Sequence, residues 1–403
     1  MSPLIRTRTL RLLSHAWLGA VATPLAAKTA PLAGPDTVPP AAAASAPAPP
    51  PSFKLSGYAE GSYVYASKAT DPNVVVGHLY DRYSNAFYLN AFKLVADRPF
   101  DSKKVDAGVH ADLLVGQNAE VLHSSGTGGT FNLGLPGELE QMYVTLNIPT
   151  ANGNGVQFKV GKMVTLMGVE VIEDVANPVW SEGNQFTYVE NFTATGVEFD
   201  AKPSSAVDIE LRVSNGWDRI VVTDGQKDFM GRIGIAAGST SLALLGYFGD
   251  QEANTKAARY GAEAVLTQKM GKSATLWIQA DYGKEKANAA LPDPTVDASW
   301  WAVGGWLSVD LSPNLNFSAR ADYMNDAEGA RTAGAFGLTS VFAPAATYDP
   351  HKLWTLTGNL NIKTFPGVFI RPEIRYDHSS YAVFDNGTKG TLIVGALSVA
   401  FQF

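Results

Sequence analysis

The segment 165–190, TLMGVEVIEDVANPVWSEGNQFTYVE, carries Glu170, Glu173, Asp174, Glu182 and Glu190 and not one Lys or Arg. Elsewhere Lys159, Arg212, Arg232, Arg259, Arg320, Arg371 and Arg375 occupy the polar positions of segments that alternate apolar and polar residues. An acidic segment facing a basic wall makes and breaks no bonds. Across a narrow aqueous gap it sets up a transverse field that sorts solutes by charge, dipole and size. The competing reading is local pairing, because the same cations have Glu210, Glu263, Asp322 and Glu373 as neighbours.

Catalytic patterns are missing. The six His are scattered, and there is no H-E-x-x-H, G-x-S-x-G or P-loop motif. His378-Ser379-Ser380 suggests a hydrolase on a loop, but loop polarity explains the same residues, so no catalytic residue and no enzyme activity is expected. His110 between Asp106 and Asp112 reads as wall lining rather than a metal centre. Asp224-Gly225 and Asp385-Asn386-Gly387 read as turns, with a weak calcium signal. With no cysteine, disulfide scaffolds and thiolate sites are excluded. No metal and no cofactor is expected.

These residues need elements to position them. The chain has 403 residues with 31 Lys+Arg against 38 Asp+Glu, and only 17% are charged, below the ~25% of ordinary soluble domains. No basic block follows the N-terminus, which argues against nucleic acid as a partner. After that terminus no apolar run reaches the length of a membrane-spanning helix. Residues 1–27, with Arg6, Arg8 and Arg11 before a short apolar stretch ending in small residues, read as a signal peptide. Residues 28–52 are rich in Pro and Ala and read as an extended periplasmic linker.

From Phe53 to Phe403 the dominant period is two. Val207, Ile209, Leu211 and Val213 oppose Asp208, Glu210 and Arg212. Leu315, Phe317, Ala319, Ala321 and Tyr323 oppose Asn316, Ser318, Arg320 and Asp322. About sixteen such segments follow one another, joined alternately by brief turns (KPSSA, AGST, KMGK) and by long polar loops such as 67–85, 117–137 and 326–350. The predicted fold is all-β, a transmembrane antiparallel barrel with short periplasmic turns and long external loops. Strands are the only option besides helices, since lipid offers no partner to an unpaired amide and a closed barrel has no edge. Tyr58, Tyr63, Tyr65, Tyr143, Tyr323 and Tyr376 are expected in interfacial girdles. The last segment, TLIVGALSVAFQF, ends with Phe401 and Phe403 on its apolar face.

Several stretches resemble one family. SGYAEGSYVYA followed by DRYSNAFYLNAFKLVADRP is similar to the opening hairpin of the OmpL-like beta-barrel porins. FKVGKMVTLMGVEVIED, with Asn177-Pro178 and Trp180-Ser181 after it, resembles that family's fifth strand and following loop, and NFTATGVEFDAKP and RVSNGWD continue the likeness. The resemblance implies a water-filled channel in a Gram-negative outer membrane for passive diffusion of small hydrophilic solutes or ions. The alternative is a structural or adhesive barrel with a plugged lumen. In general porins the loop after strand five folds inward, which gives 165–190 the role of constriction: Glu170, Glu173, Asp174 and Glu182 on the acidic side, the seven cations opposite. The terminal Phe401 and Phe403 resemble the signal read by the barrel assembly machinery. Partners implied are outer-membrane lipid, that machinery and the solutes, with a homotrimer as the assembly many sixteen-stranded porins adopt.

Overall fold

A computed structural model describes residues 52–403 apart from 71–72, 123–135, 152, 223–224, 251–257, 289–290 and 333–350. The leader, nearly all of the linker, Asp224 and most of the loop 326–350 therefore lie outside the described residues. Sixteen strands form one closed barrel in which every neighbour in sequence is a neighbour in space. They are β1 (Lys54–Ala66), β2 (Ala86–Arg98), β3 (Asp106–Val115), β4 (Gly137–Ile148), β5 (Val156–Val164), β6 (Thr193–Ser204), β7 (Val207–Ser214) and β8 (Asp228–Ala237). The second half holds β9 (Thr240–Asp250), β10 (Ala258–Met270), β11 (Ala274–Glu285), β12 (Ala298–Ser312), β13 (Leu315–Asp326), β14 (His351–Phe365), β15 (Val368–Ser379) and β16 (Thr391–Gln402). All pairings are antiparallel, and β1 closes on β16 with Tyr58 opposite Gln402.

Period-two patterning decides which way each side chain points. Leu211, Val213, Leu356, Ile374, Leu397 and Val399 face outward and are exposed, while Arg212, Thr357, Arg375 and Ser398 between them are buried. No helix among the described residues is long and apolar enough to cross a membrane. Even-numbered strands end in tight turns, where Gly238 (φ 62°) and Gly271 (φ 69°) take up the left-handed conformation that a side chain disfavours. Odd-numbered strands end in the longer connections. One of these carries a short helix, α1 (Gln117–Val121).

The seam is closed at Phe403. Gly57 and Phe403 exchange backbone hydrogen bonds of 3.0 Å each way, and the Phe403 ring stacks on Phe92 with centroids 6.3 Å apart. A Cβ on Gly57 would lie 2.6 Å from that ring, so glycine is what lets the terminal Phe lie flat across the first strand.

Two of the tyrosines expected in girdles face inward instead. Tyr323 and Tyr376 stay outside, packed on Trp301 and Trp354 at 5.1 Å. Tyr58 is 2% exposed and lies inside, and Tyr143 faces inward, stacked on His110 at 5.0 Å. Strand alternation alone does not say which of two phases is the wall's inner face. Here the inner phase of β1 holds Tyr58, Glu60 and Ser62, and that of β4 holds Tyr143, Thr145 and Asn147.

The candidate pore and its inward loop

A barrel of sixteen strands is too wide for wall side chains alone to fill. The connection between β5 and β6 enters that space. It leaves at Val164, returns at Thr193, and is braced internally by Asn177, whose side chain accepts from the Val171 amide (2.8 Å) and donates to the Val171 carbonyl (2.9 Å). A one-turn 3-10 segment (Asp174–Ala176) and a single π turn (Gln185–Val189) fold the rest.

On the side of β10 to β15 the loop is held mainly by its own amides. Gly168 donates to Glu263 (2.8 Å), Val169 to Gln279 (2.8 Å), Trp180 to Glu373 (2.7 Å) and Asn184 to Asp322 (3.2 Å). Glu170 accepts from Arg320 (2.6 Å), from the Trp306 indole (3.0 Å) and from the Gly183 amide (2.7 Å). Arg371 donates to the main-chain carbonyls of Asp174 (2.5 Å) and Asn177 (2.8 Å). A side chain at Gly304 would collide with Gln185, so the wall itself makes room for the loop.

On the side of β1 to β4 the anchorage is different. The Lys93 ammonium sits among Asp112 (3.0 Å), Glu140 (2.8 Å) and Glu173. Glu140 reaches it because β4 carries a bulge: Leu139 pairs with Leu113 and Gln141 with Asp112, which leaves Glu140 as the extra residue and turns it inward beside Gln141. Asn118 donates to both oxygens of Asp174 (3.1 and 2.9 Å), and Trp180 donates through its indole to Glu60 (2.9 Å). Burial raises the Asp174 carboxyl well above the usual range, with Glu60 adding to the rise. Glu182 is raised the same way, by burial first and then by Asp174 and Glu170. Asp81 goes the other way: burial would raise it, but Arg375 and His78 beside it outweigh that and hold it below the usual range.

Of the seven cations named from sequence, Arg320 and Arg371 bond the 165–190 loop through donors of their own. They touch it directly, not across an open gap. The other five pair along the wall or with other loops. Lys159 meets Glu198 (2.7 Å) and Asp200 (2.5 Å), and Arg212 meets Glu198. Arg232 meets Asp208 (2.6 Å) and Glu210 (3.2 Å), and Arg259 meets Glu285 (2.6 Å). Arg375 bridges Asp377 (3.1 Å) and Asp81 (2.6 Å), the latter on the loop between β1 and β2. Glu263 and Glu373, expected to neutralise arginines, instead accept loop amides. Lys93, Glu60 and Glu140 went unnoticed in the sequence, although Lys93 lies between outward-facing Phe92 and Leu94 and so falls on the polar face.

The hydrolase suggestion is also placed. His378 stacks on Trp354 at 5.2 Å, away from Ser379. The imidazole that meets Ser379 is that of His351 (2.7 Å), whose other nitrogen meets Thr332 (3.1 Å), and Thr332 in turn donates to Asp326 (3.0 Å). A triad has its carboxylate where Thr332 meets this imidazole. His351 and Ser379 are buried, 4% and 2% exposed. His110 lies between Asp97 (3.3 Å) and Asp112 (3.4 Å), as wall lining.

A closed sixteen-stranded barrel, apolar outside and densely charged inside, with the loop after its fifth strand folded into the lumen, is a porin-like architecture. The family model described as "Putative beta-barrel porin-2, OmpL-like" matches residues 52–403, and the chain belongs to that family. No curated protein matches it. Among solved structures it is similar to the outer membrane channel DcaP of Acinetobacter baumannii (12% identity, TM-score 0.54, 87% of this chain and 97% of that one). It is similar as well to an anion-selective porin from Comamonas acidovorans (9%, 0.57, 87% and 99%) and to the trimer form of OmpT, an outer membrane protein of Vibrio cholerae (7%, 0.56, 87% and 99%). At such identities the likeness is one of fold.

Proposed function

We propose that the protein is an outer-membrane porin of a Gram-negative bacterium, passing small hydrophilic solutes or ions by diffusion, with loop 165–190 as its constriction. The observation that carries this is the loop's attachment to wall strands on both sides of the lumen, from Glu60 and Lys93 to Arg320 and Glu373. Glu170, Glu173, Asp174 and Glu182 form its acidic side, with Arg320 and Arg371 opposite. Lys159, Arg212, Arg232, Arg259 and Arg375 complete the charged wall. Among the described residues twenty carboxylates and nine ammonium or guanidinium groups are buried, an excess that favours cations in the lumen. We assign the protein no enzymatic role.

Single-channel recording in planar bilayers tests the reading. Discrete steps and a reversal potential of cationic sign in a KCl gradient are expected. Replacing Glu170, Glu173, Asp174 and Glu182 by Gln should shift that potential toward anions, because negative charge leaves the loop while Arg320 and Arg371 remain. Neutralising Arg320 and Arg371 should shift it toward cations. A second reading, a structural barrel with a plugged lumen, draws on the burial of these same groups: Glu170, Asp174, Arg320 and Arg371 are each 1–2% exposed. Absence of conductance from folded protein would select it.

Three barrels joined as a homotrimer are the proposed assembly, in keeping with the trimer form of the Vibrio protein. Phe401 and Phe403 are proposed as the signal for the assembly machinery. Phe403→Ser under limiting expression should lower the yield of inserted barrel and leave periplasmic degradation products, and unchanged yield would remove that role.

A further inference from the structure

A second loop closes over the first. Residues 73–85, between β1 and β2, fold back on themselves: the Val75 amide donates to the Arg82 carbonyl (2.8 Å), the Ser84 amide donates to the Asn73 carbonyl (2.7 Å), and Val74 bridges Tyr83. The tip of this piece turns inward. Val75 and Val76 share a buried cluster with Tyr188 of the inward loop and with Trp300 and Leu353 of β12 and β14. Leu79 and Tyr80 share another with Phe186 of that loop, and the Tyr80 and Phe186 rings stand 6.2 Å apart. The piece therefore roofs loop 165–190 on the rim of the long connections. At its two ends Asn73 (φ 72°) and Asn85 (φ 57°) hold the left-handed conformation, at terminal positions of the kind that absorb a hinge rotation.

Side chains, not a ladder, hold the tip down. Among the described residues no main-chain hydrogen bond joins 75–82 to a strand, and the Tyr188 hydroxyl donates to the Gly77 carbonyl (3.0 Å). Arg82 adds a pair to Glu120 of α1 at 3.8 Å, part-exposed and worth little. The remaining attachment is a ring of four buried groups, alternately basic and acidic. Arg375 meets Asp81 (2.6 Å), Asp81 meets His78 (3.8 Å), His78 meets Asp377 (3.0 Å), and Asp377 meets Arg375 (3.1 Å). The loop supplies one base and one acid, and so does β15. With the imidazole protonated the ring is neutral, and so is each half of it. Lifting the loop thus separates two ion pairs and strands no lone charge, and it is the lone charge that makes a broken buried pair costly.

We propose that residues 73–85 are a lid over the inward loop, latched to β15 by His78 and Asp81, and that solutes pass only when the latch lets go. The structure is then that of the closed state. The lid is argued from its own contacts; its role as a gate rests on the channel reading.

The chain has no cysteine, so Leu79→Cys, buried at the tip, reports opening through its rate of modification by a water-soluble maleimide on full-length folded protein in detergent. Adding Asp81→Asn should raise that rate about tenfold or more, since a charge-assisted bond to Arg375 is lost. Val265→Cys, buried on β10 away from the lid, should not respond to Asp81→Asn. An unchanged rate at Leu79→Cys, or an equal rise at Val265→Cys, would overturn the proposal. Should the substituted chains not fold, amide hydrogen exchange of the unaltered protein decides: the Val75 and Ser84 amides should exchange together and before those of the strands. Exchange of the two only along with the strands overturns it. In planar bilayers Asp81→Asn should raise the ratio of open to closed time by about the same factor, and an unchanged ratio overturns the gate. A lid that releases in a barrel that never conducts sinks the channel alone; a barrel that conducts while Asp81→Asn leaves the modification rate unmoved sinks this inference alone.

Discussion

The loop that enters the lumen is held in two unlike ways. Toward β10–β15 donors and acceptors come in matched sets: loop amides meet wall carboxylates, and Glu170 meets a guanidinium, an indole and an amide at once. Toward β1–β4 carboxylates outnumber cations, with one ammonium among three acids and a second acidic group beside them. Matched sets hold a segment in one geometry whatever the solution contains. A surplus of one sign makes the geometry answer to what the solution supplies, whether protons, salt or ions.

The largest effect should come from breaking the matched side. Arg320→Met leaves Glu170 and Asp322 buried without their cation, a loss of about 3–5 kcal/mol for a buried pair broken from one end, read from the urea midpoint of the refolded barrel. If Arg320→Met costs less than Lys93→Met, the assignment of the two sides is reversed. Lys93→Met should come second, at roughly 2–3 kcal/mol, because carboxyls already crowded together can take up protons when the ammonium goes. Adding Glu140→Gln to Lys93→Met should restore part of the loss, and no restoration would mean that the three acids do not share the ammonium.

A smaller effect, of opposite sign, is expected at Glu182. A carboxyl whose folded value is raised binds more protons folded than unfolded, so its contribution falls as pH rises above the ordinary carboxylate range. Glu182→Gln should therefore raise the unfolding midpoint at pH 8 and leave it nearly unchanged at pH 4; a lowered midpoint at pH 8 would mean that Glu182 is ionised and paired. The smallest effect belongs to Asp218, beyond both sides, which caps the loop's return by accepting from the Phe192 and Thr193 amides (2.9 and 2.7 Å). Burial pushes its carboxyl up to about 6 despite those bonds. Asn accepts the same bonds and suits its left-handed backbone (φ 54°). Asp218→Asn should thus add about 1 kcal/mol at pH 8 and nothing at pH 4, the sign following the same linkage.

The barrel was legible because its logic is local. A strand between lipid and lumen must alternate, and tight turns must punctuate it, so Leu211 against Arg212 or Ala319 against Arg320 declares itself. The inward loop's acids were legible by composition. Which cation each would meet was not, since Arg320 and Glu170 lie 150 positions apart and five of the seven cations found partners elsewhere. Bulges hid more. Asn90 in β2 and Glu140 in β4 are extra residues that shift register by one, and a one-residue slip changes which face a side chain joins. Tyr58 and Tyr143 were misplaced for a related reason: an aromatic near a strand end fits either phase, and only closure of the sheet decides.

The contact between Gly57 and Phe403 also has a bearing on time. It joins β1 to the end of β16, so a chain without its sixteenth strand cannot make it, and until it forms the sheet has two unpaired edges open to other chains. Chain length is not the obstacle, because closure entropy grows only with the logarithm of the loop. The obstacle is order of arrival: the strand that seals the sheet emerges after the other fifteen. Sealing therefore waits for β16, and a barrel interrupted before that strand keeps an open edge.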